Sequence, residues 1–393
     1  MKKRTFLGGL TAGLAGTLLP SLAFATPAAP AAGSGPAVIA AWRSSLRLSP
    51  RGEVLDGTGG DYVGILEPDW HAGRVHIRLA LPVPNRVHGL VALPDGGFVA
   101  VAYRPGQWLQ RIDAGGGVAQ RLEMASEGSG DAARTLDGHA VLSPDGRWLV
   151  TTETQPASGE GWISVRDPQT LKKQAEWRTH GIEPHEARFD ASGRLLVANG
   201  GILRAAGDRK RDLDRMASSL VRLDIDSGEL LGQWRVRDPR LSLRHLAVAT
   251  GNAPNGKPYV GIAMQAEHDE PARRAAAPIF AVWDGERLEI PSYMPIGQGY
   301  CSDIAPAPGG GFYLNGERAN RVFRWHPDKP GELAVIAELE RAGALASWRP
   351  GDLEGVIIGA ARGMARWHPV EKPAMLRWPV EMALDNHWTL RAG

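Results

Sequence analysis

The chain has 393 residues, 43% of them hydrophobic, with 49 glycines, 29 prolines, a single cysteine and a formal charge of +2. Loss of Lys2, Lys3 and Arg4 with a leader would bring the charge to −1 (2 − 3 = −1) and leave no basic run, which removes the electrostatic basis for nucleic-acid binding. Cys301 has no second cysteine to pair with, so packing rather than an internal disulfide must hold the fold.

From the N-terminus, residues 1–25 read as a signal peptide: Lys2-Lys3-Arg4, an apolar Gly/Ala/Leu run, then Ala23-Phe24-Ala25 as a small-x-small cleavage pattern. Lys3-Arg4-Thr5-Phe6-Leu7 is similar to a twin-arginine export signal with its first arginine replaced by lysine. Pro20 and the glycines at 8, 9, 13 and 16 argue against a transmembrane anchor, so the expected location is the periplasm. Residues 26–35 form an Ala/Pro/Gly/Ser linker, and one folded domain is expected over 36–393.

Short runs of Val, Ile, Leu, Trp and Phe then alternate with Gly, Pro, Asp and Asn, the strand-and-turn signature of an all-β protein. One hairpin recurs. It starts at His88-Gly-Leu-Val-Ala-Leu-Pro-Asp-Gly, at His139-Ala-Val-Leu-Ser-Pro-Asp-Gly, at His185-Glu-Ala-Arg-Phe-Asp-Ala-Ser-Gly and at His245-Leu-Ala-Val. A fifth copy begins at Cys301-Ser-Asp-Ile without the histidine, and weaker copies run over 345–361 and, at the start, over 38–66. The spacings are 51 (139 − 88), 46 (185 − 139), 60 (245 − 185) and 56 (301 − 245) residues. Such intervals match one four-stranded blade each, so the sequence predicts a β-propeller of seven four-stranded blades, six clear and one weaker. A β-sandwich would not need one hairpin repeated at blade-like intervals.

Leu136-Asp-Gly-His-Ala-Val-Leu-Ser-Pro-Asp-Gly146, Thr151-Thr-Glu153, His180-Gly-Ile-Glu-Pro-His-Glu186, Leu196-Val-Ala-Asn-Gly-Gly-Ile202, Ser218-Ser-Leu220 and Leu241-Ser-Leu-Arg-His-Leu246 resemble the bacterial family catalogued as domain of unknown function 1513. The resemblance covers residues 37–367 and departs from the pattern over 205–211 and in the last blade. It implies a propeller related to WD40 and YVTN repeats that carries an export signal. It also implies partners of the imelysin-like or di-haem kind in iron-related gene clusters, hence an envelope role in iron or other metal handling.

Innermost strands of a propeller surround one axis, so equivalent positions in successive blades form a ring. His88, His139, His185 and His245 share such a position and are candidate ligands for a transition metal such as Fe, Cu, Zn or Ni. Asp303 or the soft Cys301 is a further candidate ligand, with Glu186 and Arg244 flanking the ring. The competing reading makes the histidines structural, each hydrogen-bonded to a neighbouring blade. Arg104, Glu153, Asn199, Gln265 and Glu317 close the second strands and form a second candidate ring, lining the channel or satisfying backbone groups between blades. The thirteen tryptophans fall in strand patterns and read as packing between blades. No phosphate loop, nucleophile elbow, His-Glu-x-x-His or haem-attachment motif is present. The composite reading is a periplasmic binding or interaction protein. The alternative is a propeller enzyme, lactonase-like or quinoprotein-like, acting at a central-channel site.

Overall fold

The Pro-Asp-Gly hairpins close as their residues require. In the first, the Gly96 N–H donates to Leu93 O at 3.0 Å and the Asp95 carboxylate accepts from Gly97 N at 3.0 Å. Gly96 takes φ +81°, a left-handed conformation that a β-carbon resists. Ser143–Gly146 and Asp190–Gly193 repeat the turn, with Gly146 at φ +72° and Gly193 at φ +78°. The computed structural model describes residues 35–391 apart from 253–255, 257, 293 and 349–353, so the signal-peptide reading falls outside the described residues.

These hairpins assemble into seven four-stranded antiparallel blades, as the repeats predict. The innermost strands are Val87–Ala92, Thr135–Leu142, Pro184–Phe189, Leu241–Asn252, Ile304–Ala307, Leu345–Trp348 and Met382–Leu390. Each contacts the next, and Met382–Leu390 returns to Val87–Ala92 to close the circle. Second strands such as Phe98–Ala102 are buried along their whole length because neighbouring blades cover both faces, whereas an outermost strand such as Val118–Glu123 is almost wholly exposed. The only α-helix among the described residues is the single turn Pro271–Ala275.

One expectation is corrected. Residues 38–66 are not an inner hairpin: Val38–Ser44 and Gly60–Asp69 are the second and third strands of their blade. The innermost strand there is Met382–Leu390 from the far end of the chain, paired Val38↔Leu390, Ala40↔Trp388 and Ser44↔Met382. The seam thus closes through backbone hydrogen bonds between the two ends of the domain, and no strand edge is left open there. The segment over 205–211 is also more regular than expected, pairing Leu203–Ala205 with Arg209–Arg211 as a small hairpin.

Apolar packing seals the seam. Trp388 is 6% exposed and sits in one cluster with Val38, Ala40, Trp42 and Leu66 from the N-terminal strands and Ile357 and Met364 from the last blade. Trp388→Ala should lower stability by about 3–5 kcal/mol through lost burial and an unfilled cavity, read as a drop in the thermal midpoint. An unchanged midpoint would contradict the seam's role.

Candidate metal centre on the propeller axis

The innermost strands carry a shared irregularity. Register breaks between Val87 and Gly89, Leu136 and Ala140, Pro184 and Glu186, Leu243 and Leu246, and, on the seam strand, between Leu384 and Trp388. A bulge re-aims the residue it contains. Those five bulges contain His88, His139, His185, His245 and His387. Gly138, at φ +100°, makes the bend before His139, and a β-carbon on Gly89 would lie 2.3 Å from Gly138 O. Glycine is required where the first two inner strands approach.

The result is a closed ring of five imidazoles, each at most 9% exposed. Successive centroids lie 4.7 Å (His88–His139), 4.9 Å (His139–His185), 4.6 Å (His185–His245), 4.3 Å (His245–His387) and 4.6 Å (His387–His88) apart. His139 lies only 5.2 Å from His245 and 5.1 Å from His387 across the ring, so the pentagon is puckered. In two triads, His88–His139–His185 and His139–His245–His387, one nitrogen from each residue lies within 4.8 Å of the other two.

Outer partners set the orientation of each ring. Asp385 Oδ1 holds His88 Nδ1 at 2.7 Å, and Asp303 Oδ1 holds His387 Nδ1 at 3.2 Å. Glu186 faces His245 Nδ1 at 3.6 Å while accepting from Leu246 N at 2.7 Å and pairing with Arg188 at 2.6 Å. Carboxylates behind imidazoles are the usual outer partners of metal-binding histidines. His185 differs: its Nδ1 lies 3.0 Å from Arg104 Nη1 and 3.1 Å from Arg244 Nη1. Guanidinium groups only donate, so Nδ1 accepts and the His185 proton sits on Nε2, directed at His245 Nε2 3.3 Å away. The inward nitrogens of His139 and His387 have no hydrogen-bond partner.

Burial pushes His88, His139, His185 and His245 well below the ordinary imidazole value, and neighbouring imidazoles and, for all but His139, arginines add to it. His387 moves upward instead: burial opposes its charge, but the Asp303 carboxylate, with Asp385 and Glu186 beyond, outweighs that cost. Burial likewise raises the Asp303 carboxyl, with the His387 imidazole opposing that rise.

The ring opens onto a cavity of about 100 Å³ lined by Arg86, Tyr103, Arg104, Arg244, Gln265, Tyr300 and Asn386 together with His88, His185 and His245. Arg86, Tyr103, Arg104, Tyr300 and Asn386 also line an outer funnel of about 670 Å³, whose walls include Trp42, Tyr62, Glu317 and Arg341.

The residues singled out from sequence divide accordingly. The four repeat histidines converge, Asp303 joins them through His387, and Glu186, Arg244, Arg104 and Gln265 surround the ring or its cavity, with Glu317 in the outer funnel. Cys301 is not a partner of the ring. Its buried thiol donates to Asp303 O at 3.1 Å, and burial drives its pKa upward. Glu153 and Asn199 are not channel groups. Glu153 accepts from Arg166 at 2.7 Å and Thr151 at 2.6 Å inside its blade, and Asn199 donates to Thr179 O at 3.0 Å and Ser219 Oγ at 3.2 Å. His387, Asp385, Glu183, Arg86, Tyr103 and Tyr300 went unrecognised. For the first two a signal exists, since Leu384-Asp-Asn-His387 echoes Leu136-Asp-Gly-His139.

A seven-bladed β-propeller with a buried polyhistidine ring on its axis is thus the class of protein. The chain belongs to the family described as protein of unknown function (DUF1513), whose model matches residues 81–391. No curated protein matches it. Among solved structures it is similar to a streptogramin B lyase at 12% identity and a TM-score of 0.51, covering 75% of this chain and 84% of that one. A virginiamycin B lyase from Staphylococcus aureus matches at 11% identity and a TM-score of 0.51, over 75% of this chain and 85% of that one. A catalytically inactive histidine-to-alanine variant of that lyase, with quinupristin, matches at 10% identity and a TM-score of 0.51, over 77% of this chain and 92% of that one. These likenesses show a shared propeller fold.

The pH dependence of the metal-free protein follows from the ring. Below about pH 6.5 the unfolded chain protonates four imidazoles that the folded protein keeps neutral, so acidification destabilises by about 1.4 kcal/mol per pH unit for each. His387 has the opposite sign, contributing stability that is complete below about pH 6.5 and lost as pH rises through its elevated value. Denaturant unfolding with chelator should therefore show stability falling from about pH 6.5 toward pH 5, with a shallower slope in His139→Asn. A flat profile would contradict neutral imidazoles.

Proposed function

We propose that this chain is an exported metal-binding propeller that holds one divalent transition-metal ion on its axis through His139, His245 and His387. The observation that carries the reading is the convergence of one nitrogen from each of these residues within 4.8 Å of the others. All three are buried, and the outer nitrogens of His245 and His387 face carboxylates. An all-imidazole set suits zinc, copper, iron or nickel, and a ligand distance of roughly 2.0–2.1 Å for zinc requires the nitrogens to draw inward. His185 has its proton on the inward nitrogen and is not a ligand; its contact with His245 Nε2 belongs to the metal-free protein and is given up when that lone pair binds the ion. Export rests on the basic and Ala-x-Ala-like N-terminal pattern. A role in envelope metal handling, beside imelysin-like or di-haem partners, rests on the family resemblance.

Three histidines also leave a fourth coordination position open, the pattern of catalytic rather than structural metal sites, and His245 belongs both to the triad and to the cavity wall. That feature favours a second reading as a propeller enzyme. The fold likeness to lyases, one of them inactivated by loss of a histidine, is compatible with it.

Elemental analysis of protein released from the periplasm should find close to one equivalent of a transition metal. His139→Ala or His387→Ala should retain less than roughly a hundredth of it, in line with loss of an inner ligand, while the β-rich circular dichroism spectrum persists. Protein missing from the periplasm would contradict export. Wild-type protein that neither carries metal nor takes up Zn, Cu, Ni or Fe(II) would overturn the metal reading.

A further inference from the structure

The 100 Å³ cavity above the ring has an unusual lining: three guanidiniums, two phenols, two amides, three imidazoles and, among the described residues, no carboxylate. The acids that balance the arginines stand behind them. Arg86 gives Nε to Asp385 and lies over the Tyr103 ring, 4.1 Å from its centroid. Arg244, 2% exposed, donates to Glu183 at 3.1 Å and to Gln265 at 2.9 Å, and its Nε has no hydrogen-bond partner. Glu183 also serves Arg204 at 2.5 Å and lies 3.8 Å from Arg104. Arg104, Arg204 and Arg244 thus share Glu183 and Asp208 as ion-pair partners, with the buried Asp137 near enough to Arg104 and Arg204 to feel their charge, while the more exposed Arg86 pairs with Asp385. A buried charge is costly unless it is paired. Tyr300 adds a donor: Asn386 Nδ2 donates to its oxygen at 3.3 Å, which frees the phenol hydrogen for the cavity, and burial pushes its pKa up to about 12.

We propose that this cavity is a binding site for a small oxyanion, a phosphate, sulfate or carboxylate group, held by Arg86, Arg104 and Arg244. Guanidinium forks recognise these planar or tetrahedral anions, and the lining offers a cation or polyol almost no anionic acceptor. The inference deepens the metal reading and rests on it in one respect, that the anion also occupies the open position of the ion. The cavity's own chemistry does not depend on the ion. The anion has two sources: a free inorganic oxyanion, or the carboxylate head of a larger molecule whose body fills the 670 Å³ funnel beside Tyr103 and Tyr300. A funnel of that volume is within the usual range for small-molecule sites.

Calorimetric titration of the mature protein with sulfate, acetate and 3-phenylpropionate, at constant ionic strength, tests the site in metal-free and zinc-loaded forms. Saturable binding is expected, weakened roughly tenfold or more in Arg86→Gln and Arg104→Gln through loss of charge-assisted hydrogen bonds. Tyr300→Phe, which keeps the ring's shape and every ion pair, should weaken it by a smaller factor. Tighter binding of 3-phenylpropionate than of acetate would identify the head of a larger ligand, and preference for sulfate a free oxyanion. Zinc uptake without saturable binding of any probe would overturn this inference and leave the metal reading standing. Anion binding by protein that takes up no metal would support the cavity and overturn the metal reading. Equal affinity in wild type and all three variants would overturn the assignment to these residues.

Discussion

The axial site depends on a backbone defect repeated five times. A regular innermost strand alternates its side chains between the two neighbouring blades. A bulge at the same level in five blades turns one residue out of that alternation and toward the axis. Because seven blades share one axis, five such defects place five side chains within contact of one another. The ring is a consequence of symmetry acting on a local irregularity; Gly89 marks where two backbones come too close for a β-carbon, and Gly138 takes a left-handed turn against the His88 ring.

That placement has an electrostatic cost which the second layer of residues meets. Imidazole can be buried neutral, and burial favours that form in four of the five rings, while the Asp303 carboxylate raises the pKa of the fifth. Carboxylates touch the outer nitrogens of His88 and His387 and face that of His245, keeping lone pairs inward. The arginines stand on the cavity side, where they fix His185 as a donor and make the cavity electropositive. A cation-seeking ring and an anion-seeking cavity therefore adjoin, an arrangement suited to an ion that carries an anionic ligand.

The blade count, the strand-turn grammar and four ring members were legible because they repeat: Pro-Asp-Gly turns and His88, His139, His185 and His245 recur at blade intervals. His387 escaped because the seam blade is assembled from both ends of the chain, so its inner strand lacks the hairpin that marks the others. Reading 38–66 as an inner hairpin filled that vacancy with the wrong strands. The echo between Leu384-Asp-Asn-His387 and Leu136-Asp-Gly-His139 was the available clue. Glu153 and Asn199 left two readings open, and their partners decide: Asn199 satisfies a backbone carbonyl of the preceding blade, Thr179 O, and Glu153 binds Arg166 within its own blade. The arginine cavity was legible in part: Arg244 stood beside a ring histidine and Arg104 at the end of a second strand, whereas Arg86 lies outside any repeat position.

The central claim is that imidazoles of the ring share one ion. X-ray absorption at the metal edge of the zinc-loaded protein tests it most directly. The account predicts three nitrogen ligands at roughly 2.0–2.1 Å with the outer-shell scattering of imidazole. A first shell of oxygen alone, or a wild-type spectrum without imidazole scattering, would contradict it.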